Sequence, residues 1–261
     1  MGTLQGSWVW YELITPDPEG ARAFYEAVVG WSMTTGHGDD NNYGLITNAD
    51  GGMTGGVVQL DQAKARNGVR PGWLGYIGVD NVDASVAAIE EAGGKTLTAP
   101  TDIALAGRVA MVADCCGAPF YVMTPNPTPG GGESTAFSPK PNPGRCGWNE
   151  LHAGDANKSA AFYTGLFGWT LPEPMDMGPM GKYQFIAHDE VTMGAIMTKP
   201  DTLPAPAWCF YFWTDSITAA IPRITAAGGR VINGPNEVPG PLWVVQAVDP
   251  QGLMFALTGG K

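Results

Sequence analysis

Two stretches of ten residues decide the fold: "RAFYEAVVGW" at 22–31 and "AAFYTGLFGW" at 160–169 repeat nearly the same pattern. They lie 138 positions apart, and the same offset relates Glu12 to Glu150. Farther along, matched residues continue in unbroken order with an offset of 135. A period of this length is too long for a solenoid repeat and has the size of a domain. The sequence therefore predicts a domain that is duplicated on one chain.

Each copy alternates strand patterns with helix patterns. The first copy begins with the alternating aromatic stretch "WVWYELIT", and a helix follows with Asp17 as its N-cap and Gly30 as its C-terminal stop. A second strand, "WLGYIGVD", leads into a second helix within "VDASVAAIEEAGG". Short strands separated by turns follow each helix. Each copy is thus predicted to hold two units of one strand, one helix and three strands.

The segment between the copies is rich in proline and glycine and lacks a periodic apolar pattern. Such a composition is typical of a connector that is partly extended. We therefore predict domain 1 at residues 1–125, a linker at residues 126–146 and domain 2 at residues 147–261.

Composition excludes several classes of function. Hydrophobic residues make up 44% of the 261 residues, which predicts a packed core. The net charge of −11 disfavours binding to nucleic acid or to an anionic membrane, since both need clustered basic residues. No apolar run is long enough to span a membrane, and the first residues lack a signal-peptide pattern. The four cysteines show no paired spacing, so we expect reduced thiols and a cytoplasmic protein.

The order of these motifs resembles the vicinal oxygen chelate superfamily, which includes glyoxalase I, the bleomycin-resistance proteins and the extradiol dioxygenases. The motifs that carry the resemblance are "FY…GW" after the first strand, "VDNVDASVAAIEEAGG", and the "D..G..F" turn at 114–120. Tandem-domain members described as glyoxalase-like or hydroxylase-like are the most similar. The resemblance implies an α+β fold with two tandem glyoxalase-like domains. Each would consist of paired βαβββ modules that form a U-shaped mixed sheet around a ligand groove.

The resemblance also implies where metal ligands would lie, because metal-dependent members carry donors at four strand positions. In copy one these positions hold Trp10, Gln59, Leu74 and Tyr121, and in copy two they hold Trp148, Met197, Cys209 and Ala256. An indole has no lone pair to offer a metal ion. We therefore predict no cofactor and no metal site. A divalent metal would fit only if the strand register shifts by two, which would make Glu12 and Glu150 the ligands.

Side chains on a strand alternate between its faces, so Glu150 and His152 share a face with Trp148. The predicted ligand-binding residues are Trp10, Glu12, Leu74, Tyr76, Tyr121, Trp148, Glu150, Cys209 and Tyr211. The alternative is that the aromatic residues fill the interior and the two acids pair with arginine or backbone amides. Glu150 and His152 are candidate catalytic residues as a general acid/base pair. The interpretation that we favour from sequence alone places His152 at a solvent-exposed strand end, and Cys209 as a small buried residue.

These observations predict a small-molecule binding or detoxification protein with a metal-free, aromatic-lined groove of the bleomycin-resistance type. Its ligand would be an aromatic or cationic organic molecule. One alternative is an enzyme, either a glyoxalase-like lyase, a dioxygenase or a hydroxylase-like protein, with a shifted metal site or acid–base chemistry at Glu150 and His152. Another is a structural or interaction protein with vestigial grooves. Fusing two copies predicts a monomer that mimics a dimer, or a weak homodimer.

Overall fold

The computed structural model describes residues 4–36, 43–62, 65, 69–104, 106–126 and 134–261. Part of the predicted linker, residues 127–133, lies outside these ranges. The strands are β1 (Trp8–Thr15), β2 (Ser32–Met33), β3 (Tyr43–Thr47), β4 (Met53–Gln59), β5 (Gly72–Gly78), β6 (Lys95–Ile103), β7 (Gly107–Ala113), β8 (Pro119–Pro125), β9 (Cys146–Ala153), β10 (Met175–Asp176), β11 (Lys182–His188), β12 (Val191–Thr198), β13 (Ala207–Ser216), β14 (Arg230–Val238), β15 (Leu242–Val248) and β16 (Met254–Gly260). The α-helices are α1 (Pro18–Val28), α2 (Val82–Glu91), α3 (Ala156–Phe167) and α4 (Ile217–Ala226).

The strands form two mixed sheets of eight strands each. Their orders are β2-β3-β4-β1-β5-β8-β7-β6 and β10-β11-β12-β9-β13-β16-β15-β14. The first strand of each βαβββ module pairs in parallel with the last: β1 with β4, β5 with β8, β9 with β12 and β13 with β16. Within a module the last strands pair antiparallel, as β3 does with β4 and β11 with β12. The parallel pair is possible because the helix connects one end of the module to the other. The predicted α+β fold of paired βαβββ modules is confirmed.

Side chains at the ends of the helices explain where they begin and stop. Asp17 caps α1 as predicted, accepting a hydrogen bond from the backbone N–H of Gly20 at 2.9 Å. Asp155 caps α3 in the same way. Gly168 ends α3 with a φ of 69°, a left-handed conformation that glycine adopts without a steric penalty. None of the helices in the described ranges is long and apolar enough to cross a membrane.

The chain divides into two compact units, and each draws on both halves of the sequence. Unit 1 comprises the described residues of Met1–Val9, Gly75–Ser134 and Asn149–Trp208. Unit 2 comprises those of Trp10–Leu74, Thr135–Trp148 and Cys209–Lys261. Helices α2 and α3 pack together in unit 1, and α1 and α4 pack together in unit 2. The domain boundaries predicted from the sequence stay a prediction.

The repeated "FY…GW" motif builds an aromatic core in each unit. In unit 2, Trp73 donates its indole N–H to the hydroxyl of Tyr25 at 3.0 Å. In unit 1, Trp208 donates to Tyr163 at 3.1 Å. All four side chains are buried, so each polar atom needs a partner inside the protein. The motif occurs twice because in each unit its tyrosine, which lies on a helix, accepts a hydrogen bond from a tryptophan on a strand.

In unit 2 an aromatic core lies on one face of β1. In unit 2 the ring of Tyr11 packs edge-on against Phe210 and Phe212, with ring centroids 5.1 and 5.9 Å apart. Tyr11 therefore faces this core. Because side chains alternate along a strand, Trp10 and Glu12 lie on the opposite face.

Candidate functional site

One face of β9 carries the candidate catalytic residues. Glu150 and His152 lie two positions apart on that face, with exposed fractions of 6% and 7%. The expectation that His152 sits at a solvent-exposed strand end is wrong, because its side chain is buried. A buried acid beside a buried imidazole is uncommon unless the two groups interact.

Glu150 is held by two neighbours in unit 1. His152 Nε2 lies 3.0 Å from Glu150 Oε1, and the Tyr183 hydroxyl donates to Glu150 Oε2 at 2.5 Å. An ionised carboxylate only accepts hydrogen bonds, so Nε2 carries the hydrogen in this pair. A neutral imidazole then has its lone pair on Nδ1. Among the described residues, that buried Nδ1 atom has no hydrogen-bond partner.

Strand pairing places these three side chains together. β9 pairs in parallel with β12, where Glu150 lies beside Ala195, and β12 pairs with β11, which carries Tyr183. The phenol therefore has to reach across β12 to the carboxylate. Ala195 has the small side chain that such a crossing requires.

Copy one holds a matching acid and phenol but no imidazole. Trp10 donates its indole N–H to the hydroxyl of Tyr43 at 2.8 Å, and Glu12 is buried two positions along the same face. Gly56 lies beside Glu12 in β4, and a Cβ added there would lie 2.1 Å from the Tyr43 hydroxyl. The absent side chain thus leaves room for the phenol. Ile14 stands where copy two has His152.

The other predicted site residues fall into separate groups. In unit 1, Tyr76 and Tyr121 stack with ring centroids 4.2 Å apart and an interplanar angle of 11°. In unit 2, Cys209 and Tyr211 belong to a buried hydrophobic cluster, and partly buried side chains pack against it. The cluster members are Cys209, Tyr211, Ala256, Trp148, Val244 and Met254. Leu74 is buried in β5.

Three polar partners were missed by the sequence analysis: Tyr43, Tyr183, and Gln246, which donates to the hydroxyl of Tyr211 at 2.8 Å. All three lie on strands that precede or follow tight turns. The pairing register of such a strand decides which side chains lie beside each other. The recurrence of a tyrosine at the start of the third strand in both copies was the available signal.

The residues at the family's metal positions do not fit a divalent cation. In copy two Trp148, Cys209 and Ala256 meet in one apolar cluster, which offers no convergent oxygen or imidazole donors. In copy one Gln59 pairs with Thr15 of β1, so it lies on the opposite face from Glu12. Within the described ranges, no group of three His, Cys, Asp or Glu side chains is arranged to hold a metal ion. The prediction of a metal-free site stays a prediction.

Comparison with known proteins identifies the family. The model of the Glyoxalase/Bleomycin resistance protein/Dioxygenase superfamily matches residues 8–121 and 145–257. The chain belongs to this superfamily. The two matches correspond to the two copies seen in the sequence and to the two eight-stranded sheets.

Known proteins match over nearly the whole chain. "Putative glyoxylase CFP32" of Mycobacterium bovis is 29% identical over 260 residues, which cover 97% of this chain and 94% of that protein. "Anthracycline biosynthesis protein DauV" of a Streptomyces species is 29% identical over 265 residues, covering 97% and 92%. A Mn(II)-bound glyoxalase from Novosphingobium aromaticivorans superimposes with a TM-score of 0.65 at 18% identity, covering 98% of this chain and 82% of that one. At that identity the likeness shows the fold alone.

Proposed function

We propose that this superfamily member binds a small organic molecule at the face of β9 that carries Glu150 and His152, without a metal ion. The observation that carries the proposal is the buried Tyr183–Glu150–His152 cluster, whose Nδ1 atom has no partner among the described residues. A buried acceptor without a partner is unfavourable by about 1–3 kcal/mol. A ligand that donates a hydrogen bond to this atom relieves that penalty.

The cluster favours a neutral donor over a cationic ligand. Both carboxylate oxygens of Glu150 already interact, one with His152 and one with Tyr183. The acceptor that the cluster presents is therefore an imidazole nitrogen, which suits a hydroxyl group. The name of the Streptomyces relative supports an aromatic ligand, since anthracyclines are polycyclic aromatic compounds. We therefore propose a planar aromatic molecule that carries a hydroxyl group.

A binding titration with 2-naphthol, a planar aromatic alcohol, tests the proposal. Calorimetry should detect binding to the wild-type chain in the presence of EDTA. Glu150→Gln should weaken it by about tenfold or more, because an amide at this position can donate to Nε2, which would leave the hydrogen rather than the lone pair on Nδ1. Glu173→Gln, which changes an exposed acid, is the matched control. Unchanged affinity in Glu150→Gln, or binding that EDTA abolishes, would contradict the proposal.

The second candidate function is an enzyme that transfers a proton to or from its ligand. The specific observation that favours it is the pair of His152 and Glu150, since a carboxylate that accepts from an imidazole N–H fixes the orientation of the ring. This function uses the same ligand site as the binding proposal.

We also propose that the chain works as a monomer that mimics a dimer. Each compact unit takes one βαβββ module from each half of the sequence, so one chain supplies a pairing that would otherwise need two. Light scattering after size-exclusion chromatography tests this, and a concentration-independent dimer mass would overturn it.

A further inference from the structure

We propose that unit 1 carries a second binding site, a cleft beside helix α2 that takes a small alkylguanidinium molecule. The cleft has a volume of about 230 Å³, and none of the residues that line it lies on β9. This volume is smaller than that of pockets for drug-sized ligands, so the cleft suits a compact ligand. The proposal does not depend on the function proposed for Glu150 and His152.

Two helices form the walls of the cleft. Helix α2 contributes Ala84, Ala88 and Ile89, and the last turn of α3 contributes Leu166 and Phe167. Ala84 and Ala88 lie four positions apart, so they share one face of α2, and their small side chains leave the space beside it open. The walls are mostly apolar, and the methylene chain of a cationic ligand can therefore lie along them.

Polar groups also line the cleft. The side chain of Gln5 bridges the two helices, because it accepts from the backbone N–H of Asp80 at 3.1 Å and donates to the carbonyl of Leu166 at 3.3 Å. Within the described ranges, the exposed Asp80 carboxylate has no hydrogen bond or ion pair of its own. This carboxylate is therefore available to a cation.

The charges around the cleft favour a cation over an anion. The Asp80 carboxylate repels an anion, and the Asn81 side chain already accepts from the backbone N–H of Ala84 at 2.9 Å in the first turn of α2. The opposite wall is the C-terminal end of α3, whose partial negative charge favours a cation. The net charge of −11 attracts cations to the surface as a whole.

The second copy carries an arginine at the equivalent position. Ala88 corresponds to Arg223 of α4 under the offset of 135. The Arg223 guanidinium donates to the Thr214 hydroxyl at 3.3 Å, so this side chain runs toward the N-terminal end of its helix. Thr214 corresponds to Val79, the residue before Asp80. In copy one the alanine leaves this path open, and a free alkylguanidinium ion takes it with Asp80 as the partner of its head group.

Titration of the ¹⁵N-labelled chain with n-butylguanidinium chloride, followed by NMR, tests the proposal. The backbone amide signals of Ala84 and Ala88 should shift and reach saturation. N-Butylurea, a neutral molecule of the same shape, should bind about fivefold more weakly, which is the effect expected of an exposed ion pair. Added NaCl should weaken binding of the guanidinium ion but not of the urea, because salt screens exposed charges.

Variants of α2 and its cap locate the site. Ala88→Arg fills the cleft as in copy two and should abolish the saturable shifts. Ala87→Arg, which places the same charge at an exposed position outside the cleft, should retain them. Asp80→Asn should weaken binding by about fivefold. Glu91→Gln changes an exposed acid of α2 that does not line the cleft and should leave the affinity unchanged.

The opposite results would overturn the proposal. Equal affinity for N-butylurea and n-butylguanidinium would show that the cleft does not recognise a cation. A wild-type chain without saturable shifts, or full binding in Ala88→Arg, would show that the cleft is not the site. Circular dichroism and thermal unfolding establish that each variant is folded. Ala88→Met fills the cleft without adding a charge and should also abolish binding, which keeps the test decisive if Ala88→Arg does not fold.

Discussion

Tyr43 and Tyr183 occupy the same position in the two copies, although 140 residues separate them rather than 138. The strand registers establish this. Gly44 lies opposite Val57, which pairs with Leu13, and Gln184 lies opposite Ile196, which pairs with Leu151. Leu13 and Leu151 are themselves matched, so the residues that precede Gly44 and Gln184 are matched as well. Each copy thus sets a tyrosine on the face that holds its buried glutamate.

The partner of each tyrosine predicts how much its hydroxyl contributes to stability. In Tyr183→Phe, the buried Glu150 carboxylate loses a hydrogen bond, which should lower the free energy of unfolding by about 1–3 kcal/mol. In Tyr43→Phe, the half-exposed Trp10 indole loses its acceptor but can donate to water, so the loss should be smaller. Urea denaturation of both variants measures the difference. Equal losses would count against the roles assigned to the two hydroxyls.

Gly56→Ala should disturb copy one because the added Cβ would lie 2.1 Å from the Tyr43 hydroxyl and 2.3 Å from the ring carbon beside it. The ring has to move, and we expect destabilisation of about 1–3 kcal/mol, as for other overpacked sites. Gly165→Ala in α3 is the matched control, since nothing lies within 4 Å of a Cβ there. The control should stabilise the helix by about 0.5–1 kcal/mol. Thermal unfolding compares the two, and a neutral Gly56→Ala would show that the phenol is not packed on this glycine.

Two cysteines are predicted to resist alkylation. Burial raises the pKa of the Cys115 thiol to about 12, with Cys116 and Asp114 adding to the effect, and burial raises the pKa of Cys146 to about 12. The thiolate is the reactive form, so raising the pH toward 10 should speed the reaction of Cys115 by about tenfold per pH unit. Peptide mass spectrometry after iodoacetamide treatment measures the rates. Rapid alkylation of either residue at pH 7 in the folded protein would contradict the prediction.

The buried carboxyl group of Asp249 is expected to make the stability of the fold depend on pH. Burial raises the pKa of Asp249 above its ordinary value, although backbone N–H groups and the Tyr25 hydroxyl oppose this. A raised pKa in the folded state means that this carboxyl stabilises the fold below its unfolded pKa, and that the contribution is lost as the pH rises through the folded pKa. Asp249→Asn removes this titration, so its stability relative to the wild type should increase from pH 3.5 to pH 7. Melting temperatures across that range give the difference, and a difference that stays constant or falls would refute the argument.

The features that the sequence predicted correctly depend on local spacing. The cap at Asp17 and the shared face of Glu150 and His152 follow from helix and strand periodicity, which a few residues determine. The partnership with Tyr183 depends instead on how β11 aligns with β12, and that register shifts at a bulge between Ile186 and Ala187. No periodic pattern encodes such a shift.

The clearest test of the difference between the copies is to give copy one an imidazole. Ile14→His places a histidine two positions after Glu12, where copy two has His152 after Glu150. If the acid–imidazole pair is what binds the hydroxyl of the ligand, the amount of 2-naphthol bound per chain at saturation should double. Ile14 is buried, so the variant is expected to lose stability, and Ile14→Gln serves as the control for a polar side chain without a basic nitrogen. A folded Ile14→His variant that binds no additional 2-naphthol would show that ligand binding by copy two needs more than these two residues.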